Sequence, residues 1–359
     1  MRVLLLHEMS GVHTELRRGL RALGVDARIA TFGDNFKRYR TDIVLGRAGT
    51  GAAAAASKLY RQVLQAGGFR RFDIVQTISP DPFFRPLAPL LEPWVFSDPG
   101  KCVYVAAGSD AVYRHHVQEL RYQPPHDWFD DPVRYRRMRR WVRRFGHVVP
   151  VCWEYRHAML QAGVPATPVM PFPVDLSRHP VKPPSRSGKL RFFHPLNRID
   201  LRHDFKGTLL IRAAFDRLRE RHGDVAEFTC AGGMDHAAYD ALTNDVDVIV
   251  DQAYSYSYGM SAAYGMAKGK VVLSGLETEA RGHGFYRDCP VVNLLPDVDS
   301  IVAAIEPLIL DRAATTARGE ASRAFAEQHH DHLRVAEAYL EMYRRDPAAM
   351  VPATAGAAA

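Results

Sequence analysis

Cysteine is scarce in this chain, and its four cysteines lie far apart. They are Cys102, Cys152, Cys230 and Cys289. None of the separations matches the paired spacing of a zinc site, and three of the four lie in or next to apolar runs. We therefore expect buried free thiols in a reducing compartment.

Long hydrophobic runs are also lacking. Only four consecutive apolar residues follow Arg2, far fewer than the core of a signal peptide. No stretch approaches the roughly 20 apolar residues of a transmembrane helix. We expect a soluble cytoplasmic protein, with the inner face of the cell membrane as a candidate peripheral location.

Acidic residues are outnumbered by basic ones. The chain has 40 aspartates and glutamates against 47 lysines and arginines, a formal net charge of +7. This excess favours anionic ligands and leaves nucleic acid, phosphates and anionic lipids open. With 359 residues, 47% of them hydrophobic, the chain is long enough for two domains with full cores.

The start of the chain has a Rossmann-like pattern but lacks the G-x-G-x-x-G fingerprint. Residues 3–6 are typical of a buried strand, residues 12–23 of an amphipathic helix, and residues 26–31 of a second strand. Without the fingerprint we do not predict NAD. Further strands are predicted at residues 72–77, 101–107, 148–152, 189–194 and 225–231.

The stretch at residues 245–275 holds the clearest pattern in the chain. A predicted strand at 246–250 precedes a Tyr-rich loop, and small residues at helical spacing begin at Gly259. The helix is predicted to end at Lys268 and Gly269, before a strand at 271–273. In such a strand–helix–strand unit the helix N-terminus presents free N–H groups and partial positive charge, for which phosphate is the natural ligand.

Residues 256–272 resemble the signature of retaining nucleotide-sugar glycosyltransferases of the GT4-like group, which have the two-domain GT-B fold. The family pattern is Glu-x-Phe-Gly, four residues, then Glu-Ala-Met-Ala-x-Gly-x-Pro-Val. The matching residues are Gly259, Met266, Ala267, Gly269 and Val272. Tyr256 and Tyr264 stand where the family has its two glutamates, and Val271 replaces the proline.

The resemblance implies an α/β protein with two Rossmann-like domains that face each other across a cleft. We expect an acceptor domain at residues 1–172, a Pro-rich linker at 173–188, a nucleotide-sugar domain at 189–322, a helix returning to the first domain at 323–345, and a disordered Pro/Ala tail at 346–359. The histidines at 329, 330 and 332 do not converge on a metal, and we expect them on a polar helix face.

The resemblance also implies the site. A leaving nucleoside diphosphate gains charge that cations must neutralise where no metal is used, and Arg198 and Lys206 are the predicted catalytic cations. The predicted donor-binding residues are Gly207, Gly232, Gly233, Asp251, Gln252, Tyr256, Tyr258, Gly259, Met260, Ser261 and Tyr264. No cofactor or metal is expected beyond the nucleoside-diphosphate sugar.

The predicted acceptor-binding residues lie at strand ends of the first domain. They are Glu8, Ser10, Gly11, Ser79, Ser109 and Asp110. A structural role is the alternative at two of these places. His7 and Glu8 at a strand end could be catalytic or structural, and Ser109–Asp110 could line the cleft or cap a helix.

A basic stretch at residues 130–145 carries seven arginines and an apolar stripe at helical spacing. It is typical of a surface helix lying on the sheet. The alternative is docking to anionic lipid headgroups, which suits a lipid-linked acceptor. Nucleic acid is not expected, because no aromatic–basic platform accompanies the arginines.

The resemblance implies transfer of a sugar from a nucleoside diphosphate to a glycan, lipid-linked or small-molecule acceptor, with retention of configuration. In the family the leaving phosphate helps to deprotonate the attacking hydroxyl. A tyrosine cannot make the bidentate contact of a glutamate with a ribose diol, so Asp251, Gln252 or Glu277 would have to replace it. The alternatives are a non-catalytic GT-B protein that binds a glycan or a partner enzyme, and a nucleotide-sugar epimerase.

Overall fold

The computed structural model describes two units of the chain. The described residues are 1–32, 39–108, 110–125, 131–182, 184, 188–196 and 204–345. Unit 1 comprises Met1–Val117, Asp130–Pro173 and His332–Ala359; unit 2 comprises Gln118–Phe129 and Val174–Asp331.

Unit 1 is built on a parallel sheet. Its strands are β1 (Arg2–Leu6), β2 (Asp26–Thr31), β3 (Ile43–Val44), β4 (Ile74–Thr77), β5 (Cys102–Ala106) and β6 (His147–Pro150). Its helices are α1 (Val12–Ala22), α2 (Ala52–Phe69), α3 (Ala88–Val95), α4 (Ala111–His116), α5 (Pro132–Val142), α6 (Trp153–Gln161) and, at the end of the chain, α13 (His332–Arg344). The strand order is β3-β2-β1-β4-β5-β6, the Rossmann order.

Unit 2 has a second parallel sheet. Its strands are β7 (Leu190–Leu196), β8 (Ala226–Gly232), β9 (Val248–Val250), β10 (Val271–Ser274) and β11 (Val292–Asn293). Its helices are α7 (Thr208–His222), α8 (His236–Asn244), α9 (Met260–Ala267), α10 (Thr278–Arg281), α11 (Val298–Leu310) and α12 (Arg312–His329). The strand order is β11-β10-β9-β7-β8, a doubly wound order of the flavodoxin type.

The sheets form because their central strands are apolar on both faces. Val3–Leu6 in β1 and all of β9 are fully buried, as expected for parallel strands covered by helices on both sides. The predicted fold class, an α/β protein with two Rossmann-like domains, is confirmed. Most predicted strands agree with the structure to within one or two residues.

Helix α9 is short, and apart from Ser261 it is buried on every face. Small residues allow it to approach the sheet, since a Cβ on Gly265 would lie 2.8 Å from Cδ1 of Ile249. The helix ends as predicted, because Gly269 adopts the left-handed φ of 72° that ends many helices. The sequence therefore holds α9 tightly against β9 and β10.

The prediction of a single helix across residues 323–345 is wrong. Helix α12 ends at His329 and α13 begins at His332, and between them Asp331 forms a bridge with Val174. His330 is fully buried and its Nε2 lies 2.8 Å from the Tyr258 hydroxyl, so its assignment to a polar helix face is also wrong. Of these two helices, only α13 belongs to unit 1. It packs closely on α1, since a Cβ on Gly19 would overlap the His332 carbonyl.

Candidate functional site

The strand order of unit 2 places a switch point between β7 and β9. The chain leaves β7 through α7 toward β8 on one side, and returns through α8 to β9 on the other. In open α/β sheets, ligands bind at the carboxyl ends of the two strands that flank such a point. The loop before α7 and the loop before α9 meet there, joined by a hydrogen bond from the Ala253 N–H to the Lys206 carbonyl at 2.8 Å.

A buried ion pair connects these two loops. The Lys206 Nζ donates to Oδ1 of Asp251 at 2.6 Å, and the two residues are 5% and 1% exposed. Lys206 and Asp251 were both predicted to contact the donor, and in the structure they form an ion pair with each other. An ammonium has three N–H donors, and Asp251 accepts from one of them.

His194 lies beneath this pair, at the end of β7, and is fully buried. Its Nδ1 donates to the Val250 carbonyl at 2.6 Å, which leaves Nε2 to accept from the Thr208 hydroxyl at 2.9 Å. Burial, followed by the nearby Lys206 ammonium, lowers the pKa of His194 to about 4. The neutral ring therefore fixes β7, β9 and the first residue of α7 relative to each other.

Most helices that follow strands in unit 2 begin with a carboxylate of this chain. Asp204 accepts from the Thr208 and Leu209 N–H groups at 2.6 and 2.9 Å. Asp235 and Asp297 cap α8 and α11 in the same way. Each of these helix N-termini already holds the negative charge that it favours.

Helix α9 is the exception among the helices longer than one turn that follow strands in unit 2. Its N-cap is Gly259, with no side-chain hydrogen bond to the first turn. Gly259 is extended, with φ −106° and ψ −172°, so its lack of a side chain is not required by the backbone. The first turn of α9 contains no acidic residue, and backbone N–H groups at such a helix start favour an anion.

A segment that begins at Gln118 is part of unit 2 and lies on its Tyr-rich loop. Tyr122 stacks on Tyr256 with 4.7 Å between ring centroids. The Tyr122 hydroxyl donates to Glu277 at 2.7 Å, and the Arg121 guanidinium donates to the other Glu277 oxygen at 2.6 Å. Glu277 also accepts from the Asn293 amide at 2.7 Å. The two carboxylates that could replace the family's glutamates, Asp251 and Glu277, are thus both engaged within the protein.

The other predicted donor residues of the loop differ in their surroundings. Tyr258 is fully buried and its hydroxyl meets His330, so it supports the loop from inside unit 2. Tyr264 is 4% exposed and packs between the rings of His179 and His236. The Gln252 amide donates to the Ser257 carbonyl at 3.4 Å.

The predicted glycines mark close approaches around the switch point. Gly207 has φ 75° and precedes α7, and a Cβ there would lie 3.2 Å from the Ala253 Cβ. Gly232 ends β8 so close to β7 that a Cβ would lie 2.5 Å from that of Leu196. Gly233, with φ 71°, turns the chain away. Arg198 lies outside the described residues.

In unit 1, four of the predicted acceptor residues follow β1 and β4, which flank its own switch point. They are Glu8, Ser10, Gly11 and Ser79. Glu8 is not a free base: its carboxylate accepts from the Gly11 and Thr14 N–H groups at 2.9 and 2.7 Å and from the Thr14 hydroxyl. The imidazole of His7 donates through Nε2 to the Pro82 carbonyl at 2.9 Å. These contacts favour the structural alternative for both residues.

The loop between β1 and α1 has an unusual backbone. His7 and Ser10 have φ of 68° and 55°, the positive-φ residues other than glycine in the described chain. Such conformations cost about 1–3 kcal/mol each and cluster at functional sites. Nothing in the composition of the sequence indicates this strain.

Asp110 caps a helix, which was one of its two predicted roles. Its carboxylate accepts from the Val112 and Tyr113 N–H groups at 2.9 Å and from the Tyr104 hydroxyl at 2.6 Å. With 4% exposure, it has little surface to offer an acceptor. Ser109 lies outside the described residues.

The basic helix predicted at residues 130–145 corresponds to α5, and its apolar stripe is largely used inside unit 1. Met138 and Val142 are buried, the Trp141 indole donates to Glu92 at 2.9 Å, and Tyr135 stacks on His115. This agrees with a surface helix lying on the sheet. Docking of α5 to lipid stays a prediction.

Three further findings concern the described part of the chain. The cysteines are free thiols, three of them buried. Within the described residues, no three histidine, cysteine or carboxylate side chains come close enough to hold a metal ion. None of the helices seen there combines the length and apolar character that a membrane span requires.

Acidification is expected to destabilise the protein through buried histidines. Burial lowers the pKa of both His13 and His194 to about 4. Between pH 6.5 and 4 the unfolded chain therefore binds more protons than the folded protein, and the free energy of unfolding decreases as the pH is lowered. Once the pH is below 4, each histidine should have lowered the free energy of unfolding by roughly 3 kcal/mol. Urea unfolding at pH 7.5, 6.0 and 5.0 measures this, and His194→Gln should show a shallower pH dependence than the wild type. Parallel profiles for the two would contradict the assignment.

No protein-family model matches the chain, and no curated protein matches it. Solved structures do. HepE from Anabaena, in complex with UDP and glucose, matches with a TM-score of 0.62 at 14% identity, over 95% of this chain and 99% of that chain. Sucrose-phosphate synthase from Thermosynechococcus elongatus matches with a TM-score of 0.64 at 16% identity, over 97% and 100%. WaaG, a glycosyltransferase involved in lipopolysaccharide biosynthesis, matches with a TM-score of 0.56 at 14% identity, over 96% and 100%. The similarity shows that this chain has the GT-B fold of these glycosyltransferases.

Proposed function

We propose that the protein transfers a sugar from a nucleoside-diphosphate sugar to an acceptor hydroxyl. The observation that carries the proposal is that the uncapped N-terminus of α9 and the Lys206 ammonium both lie on the loops that follow β9 and β7, the two strands at the switch point of unit 2. The GT-B fold and the UDP bound to HepE support it. A diphosphate suits this place because its charge is matched by N–H groups on one side and by a cation on the other.

The diphosphate gains negative charge as the bond to the sugar breaks, and this is where the protein would act. Lys206 would donate one of its remaining N–H groups to the leaving phosphate while Asp251 keeps it in place. Stabilisation by fixed donors in a buried site costs no reorganisation during the reaction. We include Arg198 as the second predicted cation and propose that no metal is required.

The acceptor is proposed to bind unit 1 near the strained loop of His7 and Ser10 and near Ser79. Because the Glu8 carboxylate already caps α1, the proposal assigns deprotonation of the acceptor to the leaving phosphate. Transfer with retention of configuration follows from that assignment. A glycan, a lipid-linked or a small-molecule acceptor fits the proposal equally.

The donor's ribose needs a different partner from the family's glutamate. We propose that Tyr264 and the backbone at Gly232 and Gly233 border the nucleoside, because the two glycines end β8 next to β7 and Tyr264 packs on His236 shortly after them. Tyr256, stacked on Tyr122, would border the sugar. A tyrosine hydroxyl makes one hydrogen bond where a carboxylate makes two, so the ribose would contribute less to affinity.

A thermal-shift screen tests the proposal. UDP, GDP, ADP, TDP and their common sugar conjugates are compared, each with magnesium and with EDTA. A ligand at about a hundred times its dissociation constant adds roughly 2.7 kcal/mol of stability. We expect one nucleoside diphosphate to raise Tm by the same amount in EDTA. No shift with any of them would contradict the proposal, and a shift only with magnesium would contradict its metal-free form.

The second candidate is a GT-B protein that binds a glycan or a partner enzyme without catalysis. The engagement of Asp251 and Glu277 within the protein favours it, together with tyrosines at both glutamate positions. The same screen, extended to oligosaccharides, separates the two candidates. Stabilisation by oligosaccharides, with no response to nucleotides, would favour the binding protein.

A further inference from the structure

Helix α2 in unit 1 carries four of its large apolar side chains on the outside. Leu59, Tyr60, Val63 and Leu64 are 47%, 66%, 58% and 64% exposed. They occupy two successive turns and form one continuous face. Single exposed apolar residues are common on protein surfaces, whereas a contiguous apolar patch marks an interaction site.

The inward side of the same helix is partly polar, and it is fixed. Gln62 is fully buried, donates from its amide to the Leu45 carbonyl at 3.3 Å, and accepts from the Phe84 N–H at 3.0 Å. A buried amide with both of its groups paired is costly to expose or rotate away. The helix is therefore held with its apolar face outward.

The charged residues of the segment that contains α2 all have one sign. Residues 43–72 contain no aspartate or glutamate and five cations. Arg61 is exposed on α2 itself, and Arg70 and Arg71 are exposed just beyond its end. On α3, the helix that packs against α2, Leu90 is 72% exposed. The apolar face is thus bordered by cations.

We propose that the outer face of α2 docks on an anionic lipid bilayer. A helix that lies in the plane of the membrane inserts its apolar residues beneath the headgroups while its cations meet the lipid phosphates. Tyr60 suits that boundary because tyrosine is enriched at membrane interfaces. Contact with a second copy through the same face would bring two sets of cations together, with no acidic residue between 43 and 72 to compensate.

This proposal differs from lipid docking through α5. Met138 and Val142 of α5 are buried in unit 1, and its exposed Val133 is a single apolar side chain, so α5 offers arginines with little apolar surface to insert. Helix α2 offers both. The proposal does not depend on sugar transfer.

Vesicle flotation tests the proposal with the full chain. Vesicles of phosphatidylcholine with 30% phosphatidylglycerol are compared with pure phosphatidylcholine at low salt (about 50 mM), where electrostatic attraction is least screened. We expect flotation with the anionic vesicles and a reduction of about fivefold or more in Val63→Ser/Leu64→Ser, which removes inserted apolar area. Both side chains are exposed, so the variant should fold normally.

A matched control removes two equally exposed leucines of unit 2, in Leu209→Ser/Leu310→Ser, and should float as the wild type does. Arg136→Gln/Arg140→Gln tests α5 and should retain most of the binding. No flotation of the wild type, unchanged flotation of the α2 variant, or abolition of binding by the α5 variant would each overturn the proposal. So would light scattering that shows a dimer in the wild type and a monomer in the α2 variant, because the face would then belong to a second copy.

Discussion

Replacement of Lys206 by methionine is expected to lower the free energy of unfolding by about 3–5 kcal/mol. The reason is that Asp251, 1% exposed, would be left as a buried carboxylate without its cation. The same change should weaken nucleoside-diphosphate binding by roughly 1.5–3 kcal/mol, as expected for the loss of a charged hydrogen bond. Urea unfolding and calorimetric titration measure the two effects.

The double variant Lys206→Met/Asp251→Asn separates the structural effect from the functional one. Removing both charges leaves no unpaired ion in the interior, so stability should recover in large part. Nucleotide affinity should not recover, because the cation proposed to contact the phosphate is still missing. If the double variant bound the nucleotide as tightly as the wild type, Lys206 would serve only to hold the two loops together.

Replacement of Gly259 by aspartate is expected to abolish nucleoside-diphosphate binding, with a loss of about a hundredfold or more, while the protein stays folded. A carboxylate at this N-cap would occupy the first N–H groups of α9 and repel the phosphates. The substitution fits the backbone, because φ is negative and the nearest heavy atom to an added Cβ is the Gln252 amide nitrogen at 3.8 Å. A gain of a few tenths of a kcal/mol in stability is expected from the new cap.

Gly259→Asn is the matched control for this prediction. Asparagine caps a helix about as well as aspartate and has nearly the same shape, but it carries no charge. It should weaken the nucleotide less than aspartate does, and the difference measures the electrostatic part. Equal losses in the two variants would show that the side chain acts by filling space.

Local patterns were enough to predict the framework of the fold. The run at 246–250, the small residues after Gly259 and the glycine at 269 set a strand, a helix and its end within about 25 residues of each other. Each of these features depends on neighbours in the chain, through apolar burial and φ preference. The structure has β9, α9 and β10 there.

Features that depend on distant partners could not be predicted in the same way. Glu277 and Tyr122, which form a hydrogen bond, are 155 residues apart in the sequence, and Lys206 and Asp251 are 45 apart. Neither contact gives rise to a periodic pattern in the sequence. The cap Asp204 was missed, although an aspartate four residues before a helix start is a usable signal. The break after His329 was missed because the helical pattern continues on both sides of it.

Helix α2 shows a further limit of sequence patterns. An apolar stripe is normally assigned to the buried side of a helix, and the stripe of Leu59, Val63 and Leu64 lies outside. The side that faces the core carries Ala54, Gln62 and Phe69 instead, and Gln62 fixes it there through its contacts with Leu45 and Phe84. A pattern that predicts the helix correctly can therefore predict its buried face incorrectly.

The measurement that tests the central claim most directly is a paired calorimetric titration of wild-type protein and Gly259→Asp in EDTA, with the nucleoside diphosphate that gives the largest thermal shift. The claim is that the uncapped N-terminus of α9 and Lys206, on the loops that follow β9 and β7, together hold the diphosphate. The predicted result is single-site binding to the wild type and no measurable heat with the variant, at equal or higher Tm. Equal affinity in both proteins would contradict the claim and place the nucleotide elsewhere.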